Sequence, residues 1–136
     1  MLRRLEPTHP HYRDACIGIG RLIDSGKLVH VTAQNVAEFW AAATRSSARN
    51  GLGLDIAAAA AAVGRIEQLF TLLPEDPQIY VWWRRLVMLH RITGNQVYDA
   101  RLVAAMAVYG IGRIVTFNVA DFTRYGVAVL HPAAVT

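Results

Sequence analysis

Leu28–Thr32 (Leu-Val-His-Val-Thr) and Arg113–Phe117 (Arg-Ile-Val-Thr-Phe) are the two stretches of sequence that decide the fold. Both are short and rich in β-branched residues, which predicts a β-strand in each. A helical pattern follows each strand closely, from Asn35 after the first and over Val119 to Arg124 after the second. Strands that alternate with helices form parallel sheets covered on both faces. The sequence therefore predicts an α/β fold with a mostly parallel sheet.

The remaining elements follow from hydrophobic spacing and turn residues. Further helices are expected over His11 to Ser25, from Asp55 to about Phe70, after Asp76-Pro77, and over Tyr98 to Tyr109; further strands are expected at Leu72–Leu73 and over Val127 to Leu130. Asp55 and Asp76 stand where N-cap residues are expected. The helix over Tyr98 to Tyr109 is apolar nearly all round, which predicts that it is buried.

Length and composition limit the classes of protein that fit. The chain has 136 residues, the size of one ordinary domain, so residues 1–136 are expected to form a single domain. With 54% hydrophobic and 18% charged residues, it is neither disordered nor collagen-like. The formal net charge of +4 permits a nucleic-acid partner without indicating one.

Cysteine usage and hydropathy indicate where the protein works. Cys16 is the only cysteine, so no internal disulfide is possible, and a buried thiol in a reducing compartment is expected. The apolar stretch from Leu102 to Gly112 is far shorter than the roughly 20 residues of a membrane span. Residues 1–7 contain basic residues but no apolar core of a signal peptide. A cytoplasmic protein without membrane contact is expected.

Three acidic residues occupy comparable places along this pattern. Glu38 and Asp121 are expected in the first helical turn after a strand, and Asp99 opens the helix that leads into strand Arg113–Phe117. Ligands of parallel α/β sheets bind outside the carboxyl ends of the strands, where the helices begin. Glu38, Asp99 and Asp121 are therefore expected to converge on one edge of the sheet.

A purely structural role also fits each carboxylate taken alone. Asn35-Val36-Ala37-Glu38 has the spacing of a capping box, and Asn118-Val119-Ala120-Asp121 has a similar form. Asp99 would stabilise its helix by lying near the positive end of the helix dipole. Convergence distinguishes the two interpretations, because residues that only cap helices have no reason to meet.

Converging carboxylates need a counter-charge. Two negative charges about 5 Å apart repel by roughly 3 kcal/mol at an effective dielectric constant near 20. Oxygen ligands without cysteine or clustered histidine favour Mg²⁺ or Mn²⁺ over Zn²⁺. Such ions activate water and stabilise a charged leaving oxygen, so the pattern favours metal-assisted cleavage of phosphodiesters.

Three segments resemble the PIN-domain ribonucleases, and VapC-like toxins of bacterial toxin–antitoxin pairs most closely. The segments are Gln34 to Trp40 with Ala43-Thr44-Arg45 and Asn50 to Leu54, then Tyr98 to Ala104, then Thr116 to Phe122. The similarity covers essentially the whole chain, and the three segments follow each other in the expected order. The resemblance implies a PIN-like three-layer α/β/α fold around a central, mostly parallel sheet.

The resemblance also implies a function. It implies an endoribonuclease that uses Mg²⁺ or Mn²⁺, cleaves RNA, forms a homodimer and is inhibited by a cognate antitoxin protein. Glu38, Asp99 and Asp121 match the metal-binding acids of the family, and Asn118 matches a weaker polar ligand. Arg45, Arg49 and Arg101 lie close in sequence to these acids and are candidates for contacts with RNA phosphates.

One part of the family pattern is missing. PIN domains open with a hydrophobic strand that ends in a metal-binding Asp, whereas Met1 to Pro7 corresponds to residues just after that motif. The absent strand is expected to lie in the middle of the sheet. A misassigned start codon or an N-terminally truncated relative explains the gap, and the in-frame DNA upstream of Met1 distinguishes these two.

Other readings of the sequence remain open. A catalytically inactive PIN-like module that binds an antitoxin or RNA has the same pattern, as does a partial domain completed by a strand from another chain. Trp40, Trp82 and Trp83 could stack on bases, although their helical spacing beside aliphatic residues is more typical of a core or a dimer contact. The five histidines have no metal-ligand spacing on a helix, which disfavours a zinc site.

Overall fold

The computed structural model describes residues 12–136, so the segment Met1 to Pro7 and the predicted helix start at His11 lie outside it. The helices are α1 (Tyr12–Asp24), α2 (Ala33–Thr44), α3 (Ile56–Leu69), α4 (Pro77–Leu89), α5 (Gln96–Val108) and α6 (Val119–Phe122). The strands are β1 (His30–Thr32), β2 (Thr71–Leu73), β3 (Arg113–Val115) and β4 (Ala128–Leu130). The prediction of a mixed α/β protein is confirmed. No helix of the described part of the chain is long and apolar enough to cross a membrane.

The strands form two parallel pairs. In the first pair, His30 of β1 is aligned with Thr71 of β2, and in the second pair Arg113 of β3 is aligned with Ala128 of β4. Within residues 12–136, each strand therefore pairs along one edge only. The prediction of parallel pairing is confirmed. A connection that contains a helix joins the two strands of each pair, as parallel strands require.

The described chain divides into two compact units. The N-terminal unit runs to Pro74 and includes Thr136, and the C-terminal unit is Glu75–Val135. The N-terminal unit packs α2 and α3 against β1 and β2, with a core of Val31, Phe39, Ala43, Ala62, Ile66 and Phe70. The expectation of a single domain over residues 1–136 stays a prediction.

The C-terminal unit is built on the packing of α4 against α5. Its core contains Ile79, Ala104 and Ala105, all at most 4% exposed, and the indole nitrogen of Trp83 donates to the carbonyl of Val97 at 2.9 Å. The predicted burial of α5 is confirmed. The alanine side chains of α5 are small, so α4 approaches α5 closely and covers this side of it.

Helix α4 differs from the sequence prediction in which side it buries. Ile79, Trp83 and Leu86 face the core, as helical spacing predicts. Trp82 and Leu89, expected on the same apolar face, are 40% and 74% exposed. Trp82 precedes the core-facing Trp83 by one residue, which is a rotation of about 100° around the helix axis. Its ring therefore lies at the surface.

The second strand pair is less covered than parallel strands usually are. Arg113 and Ala128 are exposed, and the other residues of β3 and β4 are half-buried. Buried parallel strands normally have helices on both faces. A pair of three-residue strands has too few neighbours within the described unit to achieve this.

Cys16 of α1 is half-buried rather than fully buried as predicted.

Candidate active site

Helix α2 begins earlier than predicted, and its capping box uses different residues. Thr32, extended at the end of β1 (φ −102°, ψ 162°), accepts a hydrogen bond from the backbone N–H of Asn35 on its Oγ1 at 3.2 Å. Asn35 Oδ1 in return accepts from the backbone N–H of Thr32 at 3.0 Å. The prediction of a capping box from Asn35 to Glu38 was wrong, because Thr32 already supplies the N-cap and Asn35 takes the N3 place.

Glu38 is consequently not a capping residue. It lies in the second turn of α2 rather than the first, its side chain is exposed, and its Oε1 accepts from Nε2 of Gln34 at 2.7 Å. The capping interpretation of this carboxylate is therefore contradicted. Its exposed oxygens are accessible to a ligand.

Asp99 and Asp121 each lie in the first turn of a helix. Asp99 belongs to α5 and Asp121 to α6, and both side chains are half-buried. The N-cap of α6 is Asn118, which forms no side-chain cap hydrogen bond, so the predicted capping form from Asn118 to Asp121 is absent. The capping-box interpretation therefore fails for Asp121, whereas both carboxylates keep the first-turn position that favours interaction with the helix dipole.

A long-range hydrogen bond links the two elements that hold these acids. Nη1 of Arg124 donates to Oε1 of Gln96 at 3.2 Å, across 28 residues of sequence. Gln96 is one turn before Asp99 on α5, and Arg124 is one turn after Asp121. Side chains three residues apart on a helix share a face. The bond therefore ties the first turn of α5 to the 3₁₀ turn that directly follows α6.

Tyr125 lies within electrostatic range of the same two acids. Burial raises the pKa of its phenol above the ordinary value of 10.0, the positive Arg124 lowers it, and the negative charges of Asp99 and Asp121 raise it further. Its ring meets the ring of His90 edge-on at 5.1 Å. Within residues 12–136, its hydroxyl oxygen is buried and has no hydrogen-bond partner. A bound water or ligand would give this oxygen the hydrogen-bond partner that buried polar atoms normally have.

Replacing Tyr125 by Phe tests this environment. Without a ligand, an unsatisfied buried hydroxyl costs about 1–3 kcal/mol, so Tyr125→Phe is expected to leave the free energy of unfolding unchanged or raise it. Because the folded-state pKa is raised, the wild type should lose stability as pH rises above 10.0 and the unfolded phenol ionises first. That loss should be smaller in Tyr125→Phe. Equal slopes of stability against pH in both proteins would contradict the assignment.

The remaining polar candidate, Asn118, is exposed. Its backbone N–H donates to Oγ1 of Thr116 at 3.1 Å, which holds the turn between β3 and α6. Its side chain is not engaged in a cap, so it is accessible to act as the weaker polar ligand that the sequence predicts.

Two of the three candidate arginines lie on a tightly folded loop of the N-terminal unit. Arg45 is the C-cap of α2 and Arg49 ends a 3₁₀ turn, and both are exposed. The backbone N–H of Gly53 donates to the carbonyl of Arg45 at 2.8 Å. A Cβ at Gly51 would clash with that carbonyl, so glycine is required there.

The third arginine has a protein partner. Nη2 of Arg101 lies 2.6 Å from Oε2 of Glu75, and both side chains are partly exposed. The sequence does not show this ion pair, because the two residues are 26 positions apart and on different elements. Any phosphate contact of Arg101 therefore competes with Glu75.

The sequence-predicted residues thus fall into two groups. Asp99 and Asp121, with Asn118 and Arg101 nearby in sequence, belong to the C-terminal unit, and Glu38, Arg45 and Arg49 belong to the N-terminal unit. Among the described residues, no group of three His, Cys, Asp or Glu side chains is placed to hold a metal ion. The complete three-carboxylate set stays a prediction.

Sequence reasoning missed Gln96, Arg124 and Tyr125. Arg124 and Tyr125 follow Asp121 at spacings of three and four, which is the only local signal for them. Gln96 had no such signal.

No protein-family model matches this chain, and no curated protein matches it either.

Proposed function

We propose that this chain is a Mg²⁺- or Mn²⁺-dependent endoribonuclease of the PIN type, similar to VapC-like toxins. The observation that supports the proposal best is the electrostatic influence of both Asp99 and Asp121 on Tyr125, whose buried hydroxyl has no hydrogen-bond partner among residues 12–136. Helix caps alone do not explain two half-buried carboxylates beside one buried polar atom. A bound cation with its waters explains both features.

The donor atoms of this site suit the proposed ion. Carboxylates, a phenol oxygen and an amide oxygen are hard ligands, and Mg²⁺ is typically bound by one or two carboxylates together with waters. Asp99 and Asp121 would hold the ion, and Asn118 would hold a water. Glu38 belongs to the N-terminal unit and is not assigned to this site. When bound, the ion supplies an activated water and offsets charge on the phosphate.

The other residues have roles in binding the substrate. Arg45 and Arg49 would pair with RNA phosphates, and Arg101 would do so after it exchanges Glu75 for phosphate. RNA is therefore the proposed substrate, and a cognate antitoxin and a second copy of the chain are the proposed protein partners. Tyr125 would keep a water in place through its hydroxyl, which has no protein partner within the described residues.

The proposal includes a three-layer α/β/α arrangement. Within residues 12–136 each strand pair has edges that no strand covers, and such an edge can pair with a further strand.

Metal titration of the full chain tests the function. We expect Mg²⁺ and Mn²⁺ to raise the unfolding free energy by about 2.7 kcal/mol at a concentration one hundred times the Kd. We also expect RNA cleavage that stops when EDTA is added. KCl at matched ionic strength is the control, and it should produce neither effect.

The outcomes separate the candidate functions. Stabilisation without cleavage would support the inactive binding module that the sequence left open. Neither stabilisation nor cleavage would contradict the metal site. Cleavage that persists in EDTA would contradict metal dependence.

A further inference from the structure

Helix α4 presents a second, outward apolar stripe that its own unit does not cover. Tyr80, Val81, Met88 and Leu89 are 62%, 37%, 75% and 74% exposed. They alternate with two arginines, and Tyr80, Val81, Arg84, Arg85 and Met88 line a surface depression. We call this set, with Leu89, the α4 stripe. Single exposed apolar residues scattered over a surface are ordinary, but several of them gathered on one side of a helix mark an interaction surface.

The stripe has the spacing of a helix-binding surface. Tyr80, Arg84 and Met88 follow each other at intervals of four, as do Val81, Arg85 and Leu89. Residues at this spacing form a ridge along a helix, and the groove between two such ridges accepts the side chains of a second helix. The opposite side of α4 is already engaged through Ile79, Trp83 and Leu86. The free side is therefore available without disturbing the core.

The charge of the stripe identifies the chemistry of its partner. Helix α4 contains Arg84 and Arg85 and no acidic residue. Within the described residues, neither arginine forms an ion pair. The guanidinium of Arg85 lies 5.7 Å from the centre of the Trp82 ring, which holds it at the surface beside the apolar residues. A partner with apolar residues on one face and carboxylates beside them would complement this surface.

A second copy of α4 fits less well. In a symmetric pair, each surface meets itself, so a two-fold axis near the middle of α4 would place Arg84 and Arg85 against the same arginines of the other copy. Like charges brought together in this way repel. RNA also fits less well, because Val81, Met88 and Leu89 are aliphatic, whereas surfaces that bind single-stranded RNA stack its bases mainly on aromatic side chains.

We propose that the α4 stripe is a docking surface for an acidic amphipathic helix of a partner protein. The partner helix lays its apolar face on Tyr80, Val81, Met88 and Leu89 and places carboxylates against Arg84 and Arg85. This inference is independent of the proposed nuclease site, since none of its residues belongs to that site. Either can fail while the other stands.

The test uses the full chain and two synthetic amphipathic helices as probes. One probe is built from Leu and Glu, and the other is identical except that Lys replaces every Glu. The wild type is expected to bind the Leu/Glu probe about tenfold more tightly than the Leu/Lys probe, the effect of two partly exposed ion pairs. Arg84→Glu/Arg85→Glu should reverse that preference, and Met88→Ser should weaken binding of both probes.

A matched control separates docking from net charge. Lys27→Glu/Arg65→Glu changes the net charge by the same amount at exposed residues outside α4. It should keep the preference for the Leu/Glu probe. If it reverses the preference as well, the attraction is non-specific and the proposal is overturned. A concentration-dependent dimer that Met88→Glu dissolves, or an RNA oligonucleotide that displaces the probe from the wild type, would assign the stripe to those occupants instead and also overturn it.

Discussion

Asp99→Asn is expected to reduce metal-dependent RNA cleavage by about a hundredfold or more. The substitution keeps the shape of the side chain and removes its charge. A catalytic metal ion contributes several kcal/mol to transition-state stabilisation, and loss of a charged ligand removes much of that contribution. Cleavage rates of wild type and variant in the presence of Mn²⁺ measure the effect. Equal rates would reject the role of Asp99 as a metal ligand.

The same variant should remain folded. Asp99 and Asp121 both raise the pKa of Tyr125, so both lie within electrostatic range of its phenol. Asparagine keeps the shape of the side chain and loses only a helix-dipole interaction of about 0.3–1 kcal/mol, so Asp99→Asn is expected to unfold close to the wild-type temperature without divalent ions. It should also lose the stabilisation by Mg²⁺ or Mn²⁺. A variant that unfolds earlier in ion-free buffer would point to a structural role instead.

Asp55→Asn is the matched control for that experiment. Asp55 is an exposed N-cap of α3 whose side chain accepts from the backbone N–H of Ala58 at 2.7 Å. Asparagine caps helices about as well as aspartate. The control removes one negative charge without touching the candidate site, so cleavage and ion-dependent stabilisation should both remain.

Phe39→Ala is expected to lower the free energy of unfolding by about 3–5 kcal/mol. Phe39 is 4% exposed and packs with Val31, Ala43 and Ile66 in the core of the N-terminal unit. Its removal leaves a cavity between α2, α3 and β1 that these short elements cannot fill. A loss of this size is a large part of the roughly 5–15 kcal/mol that stabilises a typical domain.

Urea unfolding followed by circular dichroism measures this loss. Ile56→Ala removes an apolar side chain of comparable kind that is 70% exposed, and it should change stability by less than about 0.5 kcal/mol. If both variants unfold at the same urea concentration, α2 does not depend on this core. The position of Glu38 would then rest on the capping box at Thr32 alone.

Local chemistry allowed most elements to be predicted. Asp55 and Asp76 act as N-caps, Pro77 begins α4, and Leu72–Leu73 falls in a strand, all as the sequence predicts. These features depend on atoms within about four residues along the chain. The wrong assignment of Asn35 has the same local origin, since Asn35 and Thr32 are both good capping residues and the geometry of β1 selects Thr32.

Local sequence patterns do not predict which residues far apart in the chain form hydrogen bonds with each other. The bond between Arg124 and Gln96 spans 28 residues, and that between Arg101 and Glu75 spans 26. Neither has a local pattern that reveals it. The buried hydroxyl of Tyr125 is equally invisible in the sequence, because burial depends on which helices surround it.

Residue types and their short spacings are thus enough for the order of helices and strands, the parallel pairing and the choice of carboxylates as candidates. Tertiary packing decides that Asp99 and Asp121 both come within electrostatic range of Tyr125, and the packing of α4 on α5 decides which side of α4 stays exposed. The physical reason is the separation along the chain over which each kind of interaction acts. Hydrogen bonds and caps act between near neighbours in the chain, whereas burial and charge–charge contacts depend on segments that only the folded chain brings together.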